Sequence, residues 1–190
     1  MPLLSKKAVV LLLTTAVSLG ALNAYAAKAT ANDKAPVVKV SMLGGKFTFN
    51  LPKGFVANPL PTSPTGATGT MYANEATKTV VIAAENALPP GIDVKDNDGK
   101  FLDGTVADFD SSQRKALPDF NKLSEKSLTQ KGTGLGLRQV DSTATQGGGP
   151  TLNTTLIAAS GNHMAVVRII SRPNDKAIHD ALTQQIVSGK

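Results

Sequence analysis

Four aspartates in one short segment are the first residues whose spacing suggests chemistry, here the binding of calcium. They are Asp93, Asp96, Asp98 and Asp103, and proline and glycine are frequent around them. With Gly99 as the central glycine, the calcium-loop pattern needs a ligand where Val94 stands and a glutamate where Thr105 stands. We therefore predict a solvated acidic loop and no metal ligands, with a cation-binding loop as the alternative.

Serine, lysine and histidine residues are candidates for nucleophilic or acid–base catalysis. Ser112 and Lys115 have the Ser-x-x-Lys spacing, but the companion motifs of that acyl-transfer site are absent. His163 opens a predicted strand, and His179 is predicted to lie on the solvent side of the last helix. Neither histidine has triad or metal-ligand spacing with another candidate. We predict no catalytic residue and therefore no enzyme.

Glycines at alternate positions resemble a nucleotide-binding loop. They are Gly132, Gly134 and Gly136. The dinucleotide fingerprint requires a glycine where Leu137 stands and a helix after it, whereas a strand pattern follows here. We interpret these residues as turn and bulge glycines, and we predict no cofactor.

Two arginines interrupt apolar strand patterns. Arg138 lies in a strand predicted for residues 135–143, and Arg168 lies in one predicted for residues 164–171. A buried guanidinium without a partner is costly, so each must form a salt bridge or face solvent. A polar-out or salt-bridged position is the plainer interpretation. The sharper hypothesis is that Arg138 and Arg168 mark an anion-binding or partner-docking face.

Composition excludes several classes of function. The chain has no cysteine, which excludes disulfides, thiolate nucleophiles, zinc–thiolate sites and a lipid on an N-terminal cysteine. Without Lys6 and Lys7 it keeps 18 basic residues against 14 acids, and the basic residues are scattered. Tryptophan is absent and there are two tyrosines, so stacking platforms for bases are missing. We predict no binding of nucleic acid.

The N-terminus has the parts of a secretory signal peptide. Lys6 and Lys7 precede an apolar stretch from Ala8 to Leu22, and small residues follow as far as Ala26. We predict cleavage after Ala26, a periplasmic location and no integral membrane segment in the mature protein. An uncleaved anchor is the alternative, but the stretch is shorter than the roughly 20 residues of a spanning helix.

Periodicity of apolar residues predicts one α+β domain after the signal peptide (residues 1–26). Residues 27–42 lack large periodic side chains and are interpreted as a flexible leader, and residues 43–190 as a single domain. Predicted strands cover residues 46–51, 70–74, 79–85, 123–130, 135–143, 152–159 and 164–171. We predict an antiparallel β-sheet flanked by helices, with an eight-stranded barrel as the alternative.

Two helices are predicted to pack on this sheet. The first covers residues 105–117 and stops at Pro118, after a loop rich in proline and glycine. The second follows Pro173, capped by Asn174 or Asp175. Its predicted buried stripe is Ile178, Ala181, Leu182, Gln185 and Ile186.

The order of these elements resembles the DcrB family, which belongs to the wider PsbP-like fold. The local motif is the strand and turn Leu43-Gly44-Gly45-Lys46-Phe47-Thr48-Phe49-Asn50-Leu51-Pro52-Lys53-Gly54-Phe55. The resemblance covers roughly residues 43–187 and implies a PsbP-like α/β/α sandwich with a non-catalytic role in membrane integrity and phage susceptibility. The family supplies no catalytic set to transfer. Its members are typically lipoproteins, whereas Ala24-Tyr25-Ala26-Ala27 stands here in place of the lipidated cysteine.

The function expected from residues and resemblance together is that of an exported, non-enzymatic binding or assembly factor. It would support envelope integrity by binding an envelope protein or a membrane-associated component. The alternative is a periplasmic hydrolase or a carrier of a small ligand. An enzyme or carrier should enclose a deep pocket with converging polar groups, whereas an assembly factor should present a shallow patch.

Overall fold

The computed structural model describes residues 37–63 and 66–189. The predicted signal peptide and most of the predicted leader lie outside these residues. The strands are β1 (Val38–Met42), β2 (Phe47–Leu51), β3 (Val56–Pro59), β4 (Thr68–Asn74), β5 (Thr79–Ala87), β6 (Asn121–Thr129), β7 (Gly136–Gln146), β8 (Gly149–Ser160) and β9 (His163–Ser171). The helices are α1 (Gly99–Ala116) and α2 (Lys176–Ser188), with short 3-10 turns at Leu43–Gly45 and Pro173–Asp175.

Seven strands form one antiparallel sheet in the order β3-β4-β5-β9-β8-β7-β6. The central strand is therefore β9, and β3 and β6 are the two edges. β1 and β2 form a separate hairpin. Because β3 and β6 do not pair with each other, the described sheet is open, and the alternative of a barrel is not formed.

Strand β9 shows how the sheet is buried on both faces. Val167 and Ile169 pack on one face against Leu182 and Ile186 of α2 and against the β1–β2 hairpin. On the other face, Val166 packs in a cluster with α1. Complete burial of such a side chain contributes about 1.5–3 kcal/mol. The predicted antiparallel sheet with two helices is confirmed, although a β-hairpin shares one face with α2.

Helix α1 begins six residues before the predicted start. The Asp98 carboxylate accepts a hydrogen bond of 3.0 Å from the backbone N–H of Phe101, which caps the helix. Gly99 and the other glycine of the first turns have a low helix propensity. The sequence therefore does not mark this start of the helix clearly. The helix ends at Ala116, since the residue before Pro118 is extended.

The boundary of the predicted leader is wrong at its C-terminal end. Residues 38–42 form strand β1, with Val40 opposite Phe49 of β2. Val40 and Met42 are buried while Lys39 and Ser41 are exposed, which is the period-two pattern of a strand. Residues 27–36 lie outside the described part of the chain.

Candidate functional site

The two arginines of the predicted docking face both lie on the side of the sheet that α1 covers. Arg138 of β7 is opposite Ile157 of β8, and Arg168 of β9 is opposite Thr155 of β8. Both side chains are buried, and neither guanidinium is displayed at the surface. A role in docking a partner stays a prediction for Arg138 and Arg168.

Arg138 holds α1 on the sheet. Its Nε donates to the Asp103 carboxylate at 2.7 Å, and one terminal nitrogen donates to the Gly99 carbonyl at 3.3 Å. Asp103 is largely exposed while Arg138 is not. The contact therefore matches the plainer interpretation of this residue, a salt bridge.

Arg168 has no such acceptor in the part of the chain that the structure describes. Its side chain is 8% exposed, and its Nε has no hydrogen-bond partner among the described residues. Burial lowers the pKa of the Arg168 guanidinium to about 10. The hydroxyl of the neighbouring Thr155 is also buried without a partner in the described part of the chain. A buried cation at the centre of the sheet is costly to the stability of the fold.

The four aspartates of the predicted loop are dispersed rather than gathered. Asp98 caps α1, and Asp103 lies within α1, where its carboxylate binds Arg138. The predicted loop therefore extends too far along the chain, because its last residues belong to α1. Asp96 accepts from Lys46 at 2.8 Å and from Ser160 at 2.6 Å, and these bonds hold the pKa of Asp96 below its ordinary value. In residues 37–63 and 66–189, no three His, Cys, Asp or Glu side chains form a group that could hold a metal ion.

The remaining candidates are spread over the molecule. Ser112 and Lys115 lie on α1, and Lys115 is exposed. Among the described residues, the side chain of His163 is hydrogen-bonded to that of its neighbour Asn162. Gly132 and Gly134 have positive φ in the turn between β6 and β7, which explains the glycines there. Nothing in this arrangement brings Ser112, Lys115 and His163 together.

An open groove of about 600 Å³ lies between α2 and the end of the sheet formed by β6, β7 and β8. We call it the β6–α2 groove. Its lining includes Leu123, Ser124, Lys126, Leu128, Lys131, Gln139, Asp141, Thr154, Lys176, His179, Asp180 and Gln184. A smaller groove of about 390 Å³ lies on the other side of α2, beside Phe55 and Ile178. The larger groove is the candidate site because polar groups converge on its floor.

Asp141 is the centre of these polar groups. It accepts from Ser124 at 2.7 Å, from Thr154 at 2.8 Å and from Gln139 at 2.9 and 3.0 Å. Lys126 lies 3.7 Å away. Burial raises the pKa of Asp141, but the hydrogen bonds and Lys126 outweigh it, so the pKa lies below its ordinary value. Asp141 is therefore an anion whose acceptor capacity is largely used within the protein.

A hydrogen-bonded chain continues from Asp141 beneath α2. The Thr154 hydroxyl lies 2.9 Å from Nε2 of His179, and Nδ1 of His179 lies 3.0 Å from the Ser171 hydroxyl. Thr154 has one hydrogen and gives it to Asp141, so Nε2 of His179 donates to Thr154, and in the neutral ring Nδ1 accepts from Ser171. Burial lowers the pKa of His179 and so favours the neutral ring, and its two hydrogen bonds fix α2 on the sheet.

The prediction that His179 lies on the solvent side of α2 is wrong. His179 is buried together with Leu182, Thr183 and Ile186, whereas Ile178 is 44% exposed. The buried face is rotated from the predicted stripe because the sheet below offers polar partners to His179. The sequence signal for this buried face is the helical spacing i, i+3, i+4 and i+7 that starts at residue 179.

Acid should destabilise the protein through His179. Burial lowers the pKa of His179, although Asp180 and Asp141 raise it in part and Lys176 opposes them. The unfolded chain therefore binds more protons, and stability should fall as the pH drops below the ordinary value of 6.5. The free energy of unfolding should change by about 1.4 kcal/mol per pH unit at most.

Urea unfolding between neutral and mildly acidic pH measures this slope. His179→Gln should remove it, and His163→Gln, which removes the other histidine, should leave it unchanged. Equal slopes for the wild type and His179→Gln would contradict the assignment.

Comparison with known proteins shows the fold. The chain is similar to cyanobacterial PsbP (CyanoP) from Synechocystis sp. PCC 6803, with a TM-score of 0.52 and 10% identity over 83% of this chain and 95% of that chain. At that identity the likeness shows the PsbP-like fold alone. No protein-family model and no curated protein sequence matches the chain. Membership of the DcrB family stays a prediction.

Two further solved structures are similar with lower scores. The Pseudomonas aeruginosa protein PA94 has a TM-score of 0.47 and 14% identity over 81% of this chain and 95% of that chain. LpqN, involved in cell envelope biogenesis of Mycobacterium tuberculosis, has a TM-score of 0.46 and 16% identity over 82% of this chain and 83% of that chain.

Proposed function

We propose that this chain is an exported, non-enzymatic binding protein of the bacterial cell envelope, and that the β6–α2 groove holds its partner. The partner is an envelope protein or a membrane-associated component. The observation that carries this proposal is the groove itself, an open space of about 600 Å³ beside an edge strand, with Leu123 57% exposed at its rim. Exposed apolar residues beside a groove favour a binding role.

Export is supported by the N-terminal sequence. Lys6 and Lys7, the apolar stretch and the small residues before Ala27 match a cleaved secretory signal. No helix in the described part of the chain is long and apolar enough to cross a membrane. Protein purified from the periplasm should therefore begin at Ala27, which an intact-mass measurement tests.

A non-enzymatic role is supported by the burial of the groups that could react. Ser171 is the hydroxyl next to His179, but it is 1% exposed and covered by α2. Thr154 separates Asp141 from His179, and both ring nitrogens of the histidine already have partners. This network serves to hold the groove in shape, since no substrate can reach the serine.

A carrier of a small ligand is the second candidate. The volume of the groove lies within the range of about 300–1,000 Å³ found for small-molecule sites. The groove is open to solvent, however, and Asp141 on its floor is already surrounded by donors. Native mass spectrometry of protein purified from cells discriminates the two: a carrier should retain a small molecule, and the binding protein should not.

Site-specific photocrosslinking in intact cells tests the proposed function. A photoreactive amino acid replaces Lys126 or Gln184, which line the groove, or Lys115, which is exposed on α1 across the sheet. We expect one envelope component to be captured from positions 126 and 184 and not from position 115. Capture of the same abundant proteins from all three positions would contradict a binding role for the groove.

A further inference from the structure

Strand β6 has an open backbone edge beside the groove. It is nine residues long and pairs only with β7 among the described strands. The Gln130 N–H donates to the Leu135 carbonyl at 2.8 Å, and hydrogen-bonded pairs alternate along an antiparallel ladder. Glu125, Ser127 and Thr129 therefore direct their N–H and C=O groups away from β7. These are the groups to which an added strand would bind.

The side chains of this edge carry an excess of positive charge. Lys122 is paired with Glu125 at 2.8 Å. Lys126 lies 3.7 Å from Asp141, which balances its charge, so that together with Lys131 three lysines stand against two carboxylates here. Lys131, at the end of the strand, has no ion pair among the described residues. An acidic segment would therefore be attracted to this edge.

Apolar side chains of the same edge are left exposed or only partly buried. Leu123 is 57% exposed where the register shifts next to Ser124, and Leu128 is partly buried at the groove. An extended segment places alternate side chains on one face. Leu128 and Lys126 are two positions apart on β6 and face the same groove, so the segment would need an apolar side chain opposite Leu128 and an acidic one opposite Lys126 on its α2 side.

A second copy of this chain is a poor occupant of the edge. Pairing β6 with β6 would bring a second set of Lys122, Lys126 and Lys131 to the interface, and like charges on adjacent strands repel. Lysines and a bulge are also the usual protection of an edge strand against self-association. The charge pattern therefore selects an acidic partner and not a dimer.

We propose that the open edge of β6 binds an extended, acidic segment of a partner protein as an added strand, with its apolar side chains entering the β6–α2 groove. This inference rests on the proposed function of the groove. Backbone hydrogen bonds supply the affinity in this mode of recognition, and alternate side chains supply the specificity. The segment would extend the sheet beyond its seven strands.

The first test uses Ser127→Pro with Ser127→Ala as its matched control. Proline removes the outward N–H and obstructs a new strand, but leaves the β7 ladder intact because the Ser127 N–H does not point at β7. We expect Ser127→Pro to weaken binding of a labelled glutamate–valine peptide of Val-Thr-Glu-Thr repeats, which places valine and glutamate on one face, by at least about tenfold. Ser127→Ala should bind as the wild type does, measured by fluorescence anisotropy.

The second test exchanges the charges and does not depend on the fold of the proline variant. The double variant Lys126→Glu, Lys131→Glu should lose affinity for the glutamate–valine peptide and gain it for a lysine–valine peptide. Wild-type protein that binds both peptides equally, or neither, would overturn the proposal. So would a folded Ser127→Pro protein that binds like Ser127→Ala.

Crosslinking separates this inference from the function on which it rests. If Ser127→Pro still captures the same component from position 126, strand addition is wrong and the binding role of the groove stands. If the wild type captures no specific component from position 126 or 184, the proposed function fails.

Discussion

Replacing Arg168 with methionine should stabilise the protein by about 2 kcal/mol. Burial lowers the pKa of Arg168 from 12.5 to about 10, which corresponds to a cost of about 3 kcal/mol for keeping the buried guanidinium charged. Methionine removes the charge and fits among Ile82 and the other apolar neighbours, although it fills less volume. Replacement of buried charges by apolar residues is often stabilising for this reason.

Equilibrium unfolding in urea at neutral pH measures the effect. Arg138→Met is the matched control, and it should lower the free energy of unfolding, since Asp103 and the Gly99 carbonyl lose their donor. A loss of stability in Arg168→Met as large as that in Arg138→Met would contradict this account. It would mean that an acceptor holds the Arg168 guanidinium in the folded protein.

Replacing Asp141 with alanine should lower the free energy of unfolding by about 3 kcal/mol. Ser124, Gln139 and Thr154 all direct hydrogens at this carboxylate, and they would lose their shared acceptor. Hydrogen bonds to a charged group contribute about 1.5–3 kcal/mol each, and part of the loss is recovered by water that enters the groove. The variant should also loosen α2, because Thr154 links Asp141 to His179.

Asp180→Ala is the control for this prediction. Asp180 lines the same groove, but it pairs with Lys176 on the exposed side of α2, where an ion pair contributes about 0.5 kcal/mol or less. The pKa of Asp141 lies below its ordinary value of 3.8, so its stabilisation is complete above that pH and is lost as the pH falls below it. If both alanine variants lowered the free energy of unfolding equally, the assignment of Asp141 as the centre of the site would be wrong.

Much of the fold follows from local patterns in the sequence. Apolar residues that alternate or run continuously predicted β2, the β4–β5 hairpin and the last four strands. Burial of one face of a strand selects an apolar residue at every second position, and burial of both faces selects one at every position. The start of α1 could not be placed, because two glycines hid the capping role of Asp98. Strand β1 does not stand out in the sequence because its alternation of apolar and polar residues is short.

The candidate site was not predictable in the same way. Asp141, Thr154, Ser171 and His179 come from three strands and one helix, and only the register of the sheet brings them together. Arg168 was recognised as an anomaly in a strand, since a charge stands out in an apolar run. Whether such a residue finds an acceptor depends on tertiary neighbours that no local pattern encodes.

Amide hydrogen exchange on the complex with the component captured from cells is the most direct measurement of the central claim. Binding in the β6–α2 groove should slow exchange in β6 and along α2, and leave the exposed face of α1 and the opposite edge strand β3 unchanged. Protection confined to α1 or β3, with β6 exchanging as in the free protein, would contradict it.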